Sequence, residues 1–60
     1  MPEEPPVAVI EGPKGKAEIF EIWENGRLLE HQVHFNGQVE SFPNIGEAYI
    51  DAGQKTGKPT

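Results

Sequence analysis

Apolar and polar residues mix with a period close to two through Lys16–Glu24 and Arg27–Phe35, and an Asn-Gly pair closes each run, Asn25-Gly26 and Asn36-Gly37. A period of two marks a strand whose faces meet different surroundings. Both central residues of a type I′ turn need positive φ, which Gly takes freely and Asn tolerates, so the two pairs predict tight hairpins. A further run, Gln38–Phe42, follows the second turn and stops at Pro43, which has no amide hydrogen to give to a ladder. Upstream, Val7-Ala8-Val9-Ile10 is a short β-branched run, and the Gly12-Pro13-Lys14-Gly15 turn after it sets Glu11 opposite Lys16.

The pattern changes at Asn44. Asn44 and Glu47 have the spacing of a capping box, in which side chains satisfy the free amides of a first helical turn. Ile45, Ala48, Tyr49 and Ala52 then fall on one stripe of a helix, with Gly53 or Gly57 as its stop. These elements predict an α+β fold, an antiparallel β-meander of three to four strands with one C-terminal α-helix packed on one face. The domain is expected over 7–53, after a disordered Pro/Glu lead-in over 1–6 and before a polar flexible tail over 54–60.

A two-residue first turn fixes the register, since directly opposed residues share a face. It sets Glu24 against Arg27, Trp23 against Leu28, Ile22 against Leu29, Glu21 against Glu30, Phe20 against His31, Ile19 against Gln32 and Glu18 against Val33. Phe20, Ile22, Leu29, His31, Val33 and Phe35 then form the face for the helix, and Ala8, Ile10, Ile19, Trp23, Leu28 and Val39 form the other. Glu21 opposite Glu30 is a like-charge pair, costly if buried dry, so the second face is expected to be wet. A two-residue second turn puts Phe42 beside His31 and Val39 beside His34, whereas a three-residue loop through Gln38 would exchange those faces.

Length and charge narrow the reading. Sixty residues make one small domain, with no cysteine to staple it; a chain of this size buries only about 60% of the surface its unfolded form exposes. Ten acids against five bases give a net charge of −5, which disfavours nucleic acid and anionic membranes as partners. No apolar run approaches the roughly 18 residues of a membrane span, and the N-terminus lacks the order of a signal peptide. A cytoplasmic protein is expected.

Candidate chemistry is sparse. His31 and His34 point to opposite faces of a strand and cannot share a metal ion, and no phosphate loop or nucleophile–histidine–acid set is present, so neither metal nor cofactor nor enzymatic activity is expected. The acids Glu18, Glu21, Glu24 and Glu30 are spread along the hairpin as solubilising positions, without the cleft that paired carboxylates need. The informative feature is the face that one short helix leaves open. There Ile19, Trp23 and Leu28, rimmed by Glu21, Glu30 and His34, have the apolar centre and polar rim of a partner-binding patch, for another protein or for a second copy in a homodimer. The plainer reading is a local cross-strand stack of Trp23 on Leu28. A sheet edge is a second route to a partner.

Two other functions compete. In element order alone, 17–53 resembles the three-stranded-sheet-plus-helix domains of a class of plant transcription factors and of integrase arm-binding regions. That resemblance implies a sheet face entering the major groove of DNA, where this chain offers Glu21, Glu30 and Gln32 rather than Arg and Lys. Alternatively, an acidic domain of this size acts as a mimic of nucleic acid and binds a basic protein.

Overall fold

The structure, a computed structural model, describes residues 5–58. The expectations for Met1–Glu4 and for Pro59–Thr60 lie outside those residues. Strands β1 (Ala8–Gly12), β2 (Gly15–Glu24), β3 (Arg27–Phe35) and β4 (Gln38–Phe42) precede helix α1 (Ile45–Thr56). The strands form one antiparallel sheet in the order β1-β2-β3-β4, with α1 across one face, so the chain has the expected α+β meander.

Local chemistry explains the joints. Asn25 and Asn36 sit at φ 53° and 50°, and Gly26 and Gly37 at 76° and 78°, the positive values a type I′ turn requires. The second turn is the two-residue form, pairing His31 with Phe42 and His34 with Val39, and Glu11 lies opposite Lys16. At the helix start, the Asn44 side chain accepts from the Glu47 amide at 2.9 Å, and Asn44 Nδ2 donates to Glu47 Oε2 at 3.1 Å. The helix ends at Gly57, whose φ of 73° turns the chain, with the amides of Gly57 and Lys58 donating to the Gly53 carbonyl. Gln54, Lys55 and Thr56 therefore belong to the helix and not to a tail.

The β2–β3 register departs from the expected one. Glu24 faces Arg27 and Trp23 faces Leu28, but Ile22 then faces Glu30, leaving Leu29 as an extra residue in a β-bulge. Every pair beyond it slips by one: Glu21 faces His31, Phe20 faces Gln32, Ile19 faces Val33 and Glu18 faces His34. A one-residue slip exchanges faces. Glu21 and Glu30 now lie on opposite sides of the sheet, so the bulge removes the like-charge pair and sets Ile19 against Val33.

The face under the helix is accordingly Ile10, Ala17, Ile19 and Val33, packed on Ala48 and Ala52, with Ala8, Phe35 and Phe42 at its margin. This corrects the expected assignment of Ala8, Ile10, Ile19, Glu21, Trp23 and Leu28 to the open face and of Phe20 and Ile22 to the core. Val33, Phe35 and His31 lie on the helix side as expected. Ala17, Ala48 and Ala52, none with any exposed surface, let helix and sheet approach closely. The helical stripe is Ala48, Ala52 and Thr56, while Ile45 and Tyr49, expected in it, are exposed.

The end of α1 is joined to the β1–β2 turn. Lys14 donates its amide to the Thr56 carbonyl at 2.9 Å, and that carbonyl lies 2.4 Å from where a side-chain carbon would stand on Gly12. Only glycine fits there. Thr56 itself is fully buried and donates its hydroxyl to the Ala52 carbonyl at 2.8 Å. On the β4 side, the Lys55 ammonium pairs with Asp51 and, at 2.8 Å, with Glu40, and lies 6.0 Å from the centre of the Phe42 ring. Partial burial works against that charge, but the hydrogen bonds Lys55 donates to Asp51 and Glu40, with their negative charge, outweigh it and hold the Lys55 pKa above the ordinary lysine value.

Candidate interaction surface

Strand lengths decide what the helix leaves open. β1 reaches only to the row of Ile19, and β4 only to the row of His31 and Glu21. Among the described residues, the remainder of the β2–β3 hairpin, Ile22–Glu24 and Arg27–Glu30, has no strand on either side. At about 3.3 Å per residue it extends about 10 Å past the last row that β4 supports, along the 37 Å long axis of a molecule 24 Å by 16 Å across.

That projecting end is apolar. Trp23 and Leu28 face each other on the helix side, beyond the helix, and are 52% and 43% exposed; the bulged Leu29 is 51% exposed. Trp23 is tethered, because its indole N–H donates to Glu21 Oε1 at 3.2 Å. The other Glu21 oxygen stands 3.8 Å from His31 Nε2, too far for a hydrogen bond. His31 is buried, and among the described residues its Nδ1 has no hydrogen-bond partner.

The open face of the sheet carries a different arrangement. Phe20 and Ile22 are half-buried, Val9 and Val39 are exposed, and the Phe20 and His34 rings lie 4.5 Å apart, inclined at 54°. Along β3 a polar ladder follows the alternation of the strand. Gln32 donates to Glu30 at 3.0 Å, leaving its carbonyl oxygen to accept from His34 Nε2 at 3.2 Å, so that nitrogen carries the proton. Ser41, on β4, donates to the same Glu30 oxygen at 2.8 Å. Hydrogen bonds from Ser41 and Gln32 hold the Glu30 carboxyl below its ordinary range.

The six residues singled out from the sequence are thus divided. Trp23, Leu28 and Glu21 come together at the hairpin end. Glu30 and His34 lie on the opposite face, and Ile19 has no exposed surface and belongs to the core. Leu29 joins the hairpin end unforeseen, and Phe20 and Ile22 join the open face. The like-charge pair Glu21–Glu30 in the regular register was a signal against that register.

Among the described residues, no three His, Cys, Asp or Glu side chains are grouped to hold a metal ion, and no helix is long and apolar enough to cross a membrane. Compared with family models, with curated proteins and with solved structures, the chain matches none.

Proposed function

We propose that the chain is a protein-interaction module without catalytic activity, and that the projecting end of the β2–β3 hairpin is its contact surface. The observation that carries this reading is the joint exposure of Trp23, Leu28 and Leu29 on a hairpin end that no other element among the described residues covers. Burying a large apolar side chain is worth about 1.5–3 kcal/mol, and this fold leaves three such residues together in water. Trp at the centre of a contact, ringed by polar groups, is the composition of an interface hot spot. Here the polar neighbour on the same face is Glu21, which accepts from the Trp23 indole, and the Glu24–Arg27 pair closes the hairpin one row beyond.

The partner is another protein or a second copy of the chain, and a cytoplasmic location accompanies the proposal. Nucleic acid is disfavoured. The open sheet face, the one that would enter a groove, carries Glu11, Glu18, Glu24 and Glu30 against Lys16 and Arg27. The same charges leave a basic protein as the partner that electrostatics favours.

The test is light scattering across micromolar concentrations, joined to recovery of partners from the native host on immobilised wild type, Trp23→Ser and Leu28→Ser. Loss of a partner or of self-association in both variants is expected. A monomer whose variants retain every partner would overturn the proposal.

A further inference from the structure

We infer that the outer edge of β4, with the groove between it and α1, takes an extended basic segment of a partner protein as an added strand. This rests on the reading of the chain as an interaction module but uses a surface separate from Trp23. Among the described residues, β4 pairs only with β3. The type I′ turn makes Phe35 and Gln38 a hydrogen-bonded pair, so Gln38, Glu40 and Phe42 direct their backbone groups at β3. Val39 and Ser41 direct theirs outward.

The two outer strands are not equivalent. Neither strand contains proline or lysine, the residues that ordinarily guard an edge, but β1 is flanked by proline on both sides, Pro5-Pro6 and Pro13, whereas β4 meets one only at its C-terminal end, Pro43, and begins in the open Asn36-Gly37 turn. Beside β4, a groove of about 220 Å³ is lined by Phe42, Glu47, Ile50, Asp51 and Gln54. Small-molecule sites begin at about 300 Å³, so this one suits one or two side chains of a longer chain. An added strand places alternate side chains on the helix side, where an apolar one meets Phe42 and Ile50, itself 63% exposed.

Charge selects the occupant. The groove carries Glu47 and Asp51, with Glu40 next to it on β4, and the one base among them, Lys55, is already paired with Glu40 and Asp51. An incoming Lys or Arg is attracted and an acidic segment repelled. The fitting ligand alternates apolar side chains with Lys or Arg.

The experiment is an NMR titration of the ¹⁵N-labelled full chain with a blocked peptide of about six alternating Lys and Val residues, a usual strand length. Saturable shifts at Gln38–Phe42 and Glu47–Gln54 are expected, with no response to the Glu/Val peptide of the same length. Val39→Pro removes an outward amide and Ile50→Lys places a cation in the groove; each is expected to weaken binding by about tenfold or more. Ile50 lies on the exposed helix surface, so that variant tests the site even if Val39→Pro fails to fold. Trp23→Ser is expected to bind the peptide as wild type does, which separates this site from the hairpin. Shifts spread over all the acidic side chains, undiminished affinity in Ile50→Lys, equal binding of the Glu/Val peptide, or loss of binding in Trp23→Ser would each overturn the inference.

Discussion

Ile19 and Ile22 stand three residues apart on β2 and face opposite ways, one sealed beneath the helix and the other half open to water. Trimming one methyl group from each separates the two environments. Ile19→Val is expected to cost about 1 kcal/mol in urea unfolding, and Ile22→Val distinctly less. Gly12 is a second residue whose role is purely steric: Gly12→Ala drives a carbon into the Thr56 carbonyl and is expected to cost about 1–3 kcal/mol, read from the same transition. Glu30 gives a test in pH. Its carboxyl is held low in the folded chain, so the stability it adds is present above the ordinary carboxylate pKa and is lost as pH falls through the lower folded value. Ser41→Ala is expected to raise the Glu30 midpoint in an NMR titration and to make the variant less sensitive to acidification across that window.

At the scale of elements, the turns and the cap could be read from the sequence because each depends on residues within a few positions. Asn25-Gly26, Asn36-Gly37 and the Asn44–Glu47 pair carry their own instructions, and Asn44→Ala is expected to lower stability by about 1 kcal/mol. The bulge could not be read in that way. It arises from competition between regular pairing at the turn and the burial of Ile19 against Val33, which is decided several residues away. The helix shows a milder form of the same limit: the apolar spacing admitted Ile45 and Tyr49 to the buried stripe, but the sheet meets α1 along Ala48, Ala52 and Thr56, where small side chains allow close contact. Deletion of Leu29 provides a direct check. Because Leu29 is the extra residue, its removal keeps every other β2–β3 pair, and a folded protein with the Ile22–Glu30 pairing intact is expected in NMR spectra. An unfolded variant would show that Leu29 is needed for the core.

For the whole molecule, one short helix over a sheet of unequal strands leaves the hairpin end uncovered, and this separates the candidate surface from the core. The sequence pointed to Trp23 and Leu28 correctly as a facing pair. Their face was misassigned, because the slip at Leu29 puts Ile19, Glu21 and Trp23, with Leu28, on the helix side, whereas Glu30 and His34 lie on the open face as expected. If the projecting end is a contact surface, truncating Trp23 removes a central anchor, for which a loss of about 2 kcal/mol, or about 30-fold in affinity, is usual. The most direct measurement is the affinity of a recovered partner, or of self-association, for wild type and Trp23→Ser compared at equal folded stability. The account predicts a loss of about that size. Unchanged affinity for the same partner would contradict it.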